Sequence, residues 1–194
     1  MSTIEMTAMA GVPREPTYSL LAVPCFSRHR EALDWARSRL VAEYGTIALE
    51  SQEFSFHHTK YYLSAMGTGL LKKIFVFDQI FPADILPVTK RFSIALENEL
   101  ASSGLYPEPR PINIDPGLVQ LGKFLLASTK DQAHRIYLQD DIFGEVTLRF
   151  EAGAFEVWPW TYADYHEESV RAFLNQARAL LYEKVTALRK IQGK

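Results

Sequence analysis

Hydrophobic and polar positions alternate along this chain in patterns that predict both strands and helices. Apolar runs of strand length cover residues 18–26, 47–56, 72–78, 123–129, 134–138, 142–150 and 154–158. Apolar residues recur at helical spacing over residues 28–44, 83–103 and 167–190. This order predicts an α+β fold whose mainly antiparallel sheet ends in a C-terminal β-meander. Three main helices are expected to pack on the sheet, on one of its faces.

Residues 115–129 allow two interpretations. Asp115 followed by Pro116 is typical of an N-cap and the first residue of a helix, whereas the apolar run that follows is typical of a strand. We predict a strand. Residues 1–16 are predicted to form a flexible N-terminal segment, and residues 17–194 a single α+β domain, because no convincing linker divides them.

Composition narrows the class of protein. The 194 residues are 47% hydrophobic and 23% charged, as in ordinary soluble proteins. A net charge of −2 argues against nucleic-acid binding, which relies on a basic surface. The sequence has neither a readable signal peptide nor the roughly 18 consecutive apolar residues of a membrane span, so a cytoplasmic protein is expected. The single cysteine, Cys25, excludes an internal disulfide and a cysteine-based zinc site. We predict no metal site, and the cofactor is unknown.

Two short motifs invite a function and fail on inspection. Residues 117–123 match the spacing of a phosphate-binding loop, but Phe124 follows Lys123 where Ser or Thr would bind magnesium, and the interior is apolar. His57, His58 and Thr59 contain the H-x-T of two-histidine phosphoesterases, yet the second copy that such a site needs is absent from the sequence.

The meander is more informative, because strand alternation divides its residues between two faces. The apolar face, expected to point to the core, holds Ile136, Leu138, Val146, Leu148, Phe150, Phe155 and Val157. The polar face holds Arg135, Tyr137, Glu145, Thr147, Arg149, Glu156 and Trp158. This face is either an exposed surface with cross-strand ion pairs or the floor of an anion site, with Lys130, Asp131 and His134 at its rim.

Five stretches together resemble one known family. They cover residues 56–67, 112–117, 126–138, 144–148 and 160–165. The chain is similar, from about residue 18 to residue 182, to domain-of-unknown-function family 4416, whose members are bacterial proteins of about this length. Some members are labelled GTP-binding, a label that this sequence does not support. The resemblance implies no particular reaction.

The resemblance indicates which positions are candidates for a functional role. Matching positions are Thr59, Tyr61, Tyr62, Gly67, Asp115, Lys123, Thr129, Lys130, Asp131, His134, Arg135, Tyr137 and Glu145. Family members often have serine at the position of Gly122, so the apparent phosphate loop is accidental. They also tend to have an acidic and an aromatic residue at the positions of His57 and His58, so a shared histidine mechanism is not expected.

We therefore predict that the protein binds an anionic or phosphorylated small molecule. It either binds this molecule only or also catalyses a reaction on it. The predicted ligand-binding residues are Tyr62, Lys123, Thr129, Lys130, Asp131, Arg135, Tyr137 and Arg149. The predicted acid–base residues are His134, Asp115 and Glu145. The alternative is a non-catalytic interaction module or homodimer, which would use the polar sheet face or the aromatic residues of 158–165.

Overall fold

The computed structural model describes residues 18–56 and 61–191, and these residues form ten strands, four α-helices and one 3-10 helix. The strands are β1 Ser19–Ser27, β2 Ile47–Glu50, β3 Phe54–Phe56, β4 Leu70–Phe81, β5 Asn113–Ile114, β6 Gly117–Val119, β7 Lys123–Ser128, β8 Ile136–Gln139, β9 Ile142–Glu151 and β10 Ala154–Val157. The helices are α1 Arg30–Tyr44, α2 Leu63–Met66, α3 Ile85–Ser102 and α4 Glu168–Ile191, with the 3-10 helix at Ala163–His166.

The strands form one antiparallel sheet in the order β10-β9-β7-β6-β1-β4-β2. The short strands β5, β3 and β8 pair with β1, β4 and β9, respectively. The predicted α+β fold is confirmed, with its antiparallel sheet, C-terminal meander and three main helices. The predicted flexible segment 1–16 and the histidines at 57 and 58 lie outside the described residues.

Helices cover both faces of the sheet, so the expectation of helices on one face is wrong. Leu21 and Val23 of β1 pack with α1 and α3, whereas Leu20 and Ala22 of the same strand pack with α4. All nine residues of β1 are buried. A continuous apolar run is typical of a strand that is covered on both faces. The apolar run at residues 18–26 therefore indicated burial on both faces.

The segment 115–129 is extended, as predicted, and forms a hairpin of β6 and β7. The Gln120 N–H donates to the Lys123 carbonyl across its turn, with N and O 2.9 Å apart. The residues 117–123 that match a phosphate-binding loop are thus strand, turn and strand, without the helix that such a loop must open.

A β-bulge in β9 changes which residues share a face. Phe124 pairs with Leu148 and Leu125 with Val146, so Thr147 is an extra residue. The bulge puts Glu145 on the same face as Leu148, beside Leu126 on the α4 side. The prediction that Glu145 and Leu148 lie on opposite faces is therefore wrong. Glu145 is 2% exposed, so it does not belong to a solvated sheet surface.

The predicted apolar face also fails at β8. Ile136 and Leu138 were expected in the core, but they are 73% and 40% exposed. Among the described residues β8 pairs with β9 alone, and all four of its residues are exposed. Neither face of this edge strand is covered, so its alternation does not mark a side that faces the core.

Candidate ligand-binding cavity

A cavity of about 350 Å³ lies on the α4 side of the sheet. Strands β1, β3, β4, β5, β7 and β9 contribute to its walls, together with α3, the 3-10 helix and the two residues before α2. Its charged lining residues are Lys72, Lys90, Arg110, Lys130, Asp115, Glu145 and Asp164. Its aromatic lining residues are Phe26, Phe56, Tyr61, Tyr62, Tyr162 and Tyr165. Such a mixture of apolar surface and convergent polar groups is typical of small-molecule sites.

The first ion pair of the cavity joins Lys72 to Asp164. Lys72 lies beside Phe26 in the register of β1 and β4, which turns both side chains to the cavity. The two charged side chains are only 4% and 9% exposed. The Lys72 ammonium also lies 4.1 Å from the ring centroid of Tyr165. Burial and the charge of Asp164 raise the pKa of the Tyr165 hydroxyl, which therefore stays neutral.

The second ion pair joins Lys90 of α3 to Asp115, with 2.8 Å between Nζ and Oδ1. The Lys90 ammonium also donates to the Ile114 carbonyl at 3.0 Å. It thus reaches from the α3 layer to the break between β5 and β6. Asn113 Nδ2 donates to the other Asp115 oxygen at 2.5 Å. Burial alone would raise the pKa of Asp115, but Lys90 and Asn113 outweigh it and hold that pKa below its usual value.

Two further cations, Arg110 and Lys130, have a different environment. Arg110 Nη2 donates to Glu97 at 2.8 Å and also to Asn113. Burial raises the pKa of Glu97, although Lys90 and Arg110 oppose that shift. Lys130 Nζ donates to the Tyr61 hydroxyl at 3.0 Å, and Lys130 has no carboxylate within 4 Å among the described residues.

An aromatic cluster forms the apolar part of the wall. The rings of Phe26 and Phe56 stack with 4.4 Å between centroids, and Tyr62 contacts Phe26 edge-on at 4.9 Å. Burial, reinforced by the charge of Asp115, raises the pKa of Tyr62. Its hydroxyl is thus a neutral hydrogen-bonding group at any physiological pH.

Arg135 lies behind this cavity and contacts four of its lining residues. Its Nε donates to Glu145 Oε2 at 2.8 Å and its Nη1 to Ser128 Oγ at 2.7 Å. Its Nη1 and Nη2 also donate to the Lys130 carbonyl at 3.0 Å and the Tyr162 hydroxyl at 2.5 Å. The side chain is 2% exposed. It is not among the residues that line the cavity, so it positions the wall through these contacts.

The sequence-predicted residues divide into three groups. Those that line the cavity are Tyr62, Asp115, Thr129, Lys130 and Glu145. Those behind its wall are Arg135 and His134. The His134 Nε2 lies 3.4 Å from Glu145 Oε2, and its ring stacks on Trp160 at an open depression elsewhere on the surface.

The third group lies outside the cavity and consists of Lys123, Asp131, Tyr137 and Arg149. Lys123 and Arg149 are exposed partners in the β7–β9 register. Arg149 pairs with Glu151 at 2.9 Å, and Tyr137 packs against Phe143.

Sequence reasoning missed several residues of the cavity. Lys72 shares a strand face with the buried Ile74 and Val76. A lysine on an otherwise apolar strand face was therefore the sequence feature that could have indicated a buried cation. Lys90 lies one turn after the buried Leu86, which puts a cation on the apolar stripe of α3. Arg110 and Asp164 carried no comparable signal, because neither lies in a periodic element.

Two further observations bear on the class of protein. Within residues 18–56 and 61–191, no group of three or more His, Cys, Asp or Glu side chains is placed to hold a metal ion. In the same part of the chain, no helix is both long and apolar enough to cross a membrane.

Comparison with known proteins places the chain in a family. No curated protein and no solved structure is significantly similar to it. The family model described as domain of unknown function (DUF4416) matches residues 17–181, in agreement with the resemblance seen in the sequence. This match includes every residue that lines the cavity. The chain belongs to the DUF4416 family.

Proposed function

We propose that this protein binds a small anionic molecule, with a phosphate group as the best-suited anion, in the cavity on the α4 side of the sheet. One observation carries the proposal. Four cationic side chains, Lys72, Lys90, Arg110 and Lys130, come from four different parts of the chain and line the same cavity. Arginine and lysine are the usual protein ligands of phosphate.

The free-energy cost of burying charged lysines supports a ligand-binding role for these side chains. Taking a lysine out of water costs several kcal/mol, and an ion pair recovers that cost only partly. Apolar residues would stabilise the same space at least as well. Two nearly buried lysines, Lys72 and Lys90, are therefore better explained by recognition than by stability.

Arg110 and Lys130 are the cations most available to an anion. Arg110 uses only Nη2 for its side-chain bonds among the described residues, so Nε and Nη1 have donors to spare. Lys130 is exposed, and its ammonium has one hydrogen-bonded partner among the described residues, the Tyr61 hydroxyl. An ammonium carries three donors, and a phosphate can accept those that remain.

Binding, not turnover, is the function that we propose. Of the predicted acid–base residues, Asp115 and Glu145 line the cavity, but both are engaged as charge partners. Lys90 and Asn113 bind Asp115, and Arg135 binds Glu145. His134 lies outside the cavity and could move a proton there only through Glu145.

The test measures thermal stabilisation of the purified protein by inorganic phosphate, nucleotides and phosphorylated metabolites. A ligand at one hundred times its dissociation constant stabilises by about 2.7 kcal/mol, which shifts the melting temperature measurably. We expect the double variant Arg110→Met/Lys130→Met to lose at least tenfold in affinity. The matched control Lys123→Met removes an exposed cation outside the cavity and should bind like the wild type.

Absence of stabilisation by every anion, with the protein folded by circular dichroism, would contradict the proposal. Equal losses in the double variant and the control would also contradict it.

The second candidate function is that of a docking module. It is favoured by Ile136 and Tyr137 of the edge strand β8, which are 73% and 57% exposed. A dimer mass in light scattering, together with a flat anion screen, would favour that function instead.

A further inference from the structure

We propose that the ligand is a phosphorylated sugar or polyol, held with its phosphate at Arg110 and Lys130 and its hydroxyl groups on the ion pairs Lys72–Asp164 and Lys90–Asp115. This inference rests on the proposed function and adds the chemical class and the orientation of the ligand. It follows from how charge, hydrogen-bonding capacity and apolar surface are distributed around one cavity.

Charge separates the cavity into two parts. Each of the two lysines on the inner wall already has one carboxylate partner beside it in the cavity lining. An anion placed there would compete with a carboxylate for a buried lysine, which is unfavourable. Arg110 instead has its carboxylate partner, Glu97, outside the lining, and Lys130 has none within 4 Å among the described residues. The anionic group therefore belongs beside Arg110 and Lys130.

The part of the wall formed by the two lysine–carboxylate pairs suits neutral hydroxyl groups. A hydroxyl both donates and accepts, and a lysine–carboxylate pair offers both kinds of partner. Asp115 accepts one hydrogen bond at each oxygen and has lone pairs left, and its side chain is 30% exposed. Within residues 18–56 and 61–191, the Lys72 ammonium has one carboxylate partner for its three donors. A hydroxyl bonded there adds no charge to a buried site and satisfies its own polar atoms.

The aromatic cluster and the small volume of the cavity suit a sugar. Phe26 and Phe56 stack on each other, and Tyr62 presents its edge to Phe26, so these rings already use one another as stacking partners. The C–H surface of a sugar needs apolar contact, which this cluster supplies. The cavity of about 350 Å³ is also near the lower end of the roughly 300–1,000 Å³ typical of ligand sites, which suits a small metabolite.

The experiment compares five probes on the wild-type protein by isothermal titration calorimetry. They are inorganic phosphate, ribose, ribose 5-phosphate, glucose 6-phosphate and adenosine monophosphate. We expect at least one of the two sugar phosphates to bind at least tenfold more tightly than both inorganic phosphate and ribose. Adenosine monophosphate should bind no more tightly than ribose 5-phosphate.

Variants then test the orientation of the ligand. Arg110→Met should weaken binding of inorganic phosphate and of the sugar phosphate by the same factor. Asp115→Asn removes both a hydroxyl acceptor and a negative charge, so it should lower the ratio of the affinity for the sugar phosphate to that for inorganic phosphate. Asp131→Asn, an exposed carboxylate outside the cavity, is the matched control and should change neither.

The outcomes separate this inference from the proposed function. Equal affinity for inorganic phosphate and both sugar phosphates would overturn the sugar assignment but leave an anion site. Tighter binding of adenosine monophosphate would overturn it in favour of a nucleotide. No binding of any anion would contradict the proposed function itself. Because the wild-type comparison decides among these results, the test holds even if Asp115→Asn fails to fold.

Discussion

At the scale of single residues, the main feature is that charged side chains are buried in matched pairs around the cavity. Arg135 is the clearest example, because its guanidinium contacts the lining residues Glu145, Ser128, Lys130 and Tyr162. Arginine suits this position because its planar group offers several donors in fixed directions. The sequence predicted Arg135 as an anion ligand, whereas its contacts are those of a residue that positions others.

Replacing Arg135 by methionine should destabilise the protein strongly. It leaves Glu145, which is 2% exposed, without its main charge partner. Removal of one partner from a buried ion pair costs about 3–5 kcal/mol. Urea unfolding should therefore show a lower midpoint at an unchanged slope. Arg135→Lys, which keeps the charge, should lose less.

The control for this prediction is Arg149→Met. Arg149 also lies on the meander and pairs with a carboxylate, Glu151, but the two side chains are 45% and 59% exposed. Exposed pairs contribute at most about 1 kcal/mol, so this variant should unfold nearly as the wild type does. Similar stability losses in the arginine variants at 135 and 149 would show that Arg135 does not hold the cavity wall.

At the scale of elements, small irregularities of the strands decide what reaches the cavity. The bulge at Thr147 puts Glu145 on the α4 side of the sheet, and the break between β5 and β6 lets Lys90 bind Asp115. The β6–β7 hairpin between them holds the two glycines that match a phosphate-binding loop. The structure gives these glycines different surroundings.

Gly117→Ala should destabilise the hairpin, and Gly122→Ala should not. A Cβ atom at Gly117 would lie 2.4 Å from the Leu125 carbonyl oxygen and 2.7 Å from the Phe124 ring, whereas one at Gly122 would meet nothing within 4 Å. Overpacking of this kind costs about 1–3 kcal/mol. Chemical unfolding of both variants checks the prediction, and equal stability losses would contradict the close approach at Gly117.

At the scale of the whole molecule, one sheet serves as the base for two helical layers. The residues of β1 and β4 alternate between the core under α1 and α3 and the core under α4. Loss of either layer would expose apolar residues of the same strands. We therefore expect residues 17–194 to unfold as one cooperative unit, which is the single domain predicted from the sequence.

Matched substitutions in the two layers test this cooperativity. Leu40→Ala in α1 and Leu174→Ala in α4 each truncate a side chain that is 0% exposed, and each should cost about 2–5 kcal/mol. Both should shift one transition that tryptophan fluorescence and far-ultraviolet circular dichroism report together. Tyr182→Ala, at a position 57% exposed, should cost less. Two separate transitions would show that the layers are independent domains.

Local pattern was sufficient for most of the main elements of this protein and for part of its site. Period-two and helical spacing correctly predicted most of the main strands, the three long helices and the strand character of residues 115–129, although residues 47–56 form two strands and not one. These features depend on short-range propensity and on which side of an element is apolar. Family resemblance and polarity together selected Tyr62, Asp115, Thr129, Lys130 and Glu145, which line the cavity.

Tertiary structure alone decided the rest, because it depends on contacts between residues distant in the sequence. Alternation could not reveal the bulge that turns Glu145 inward, since a bulge is defined by the partner strand. The pairings of Lys72 with Asp164 and of Lys90 with Asp115 bring together groups from separate elements. Burial of a charge is stable only with such partners, so these residues acquire their role only when the two faces of the sheet are assembled.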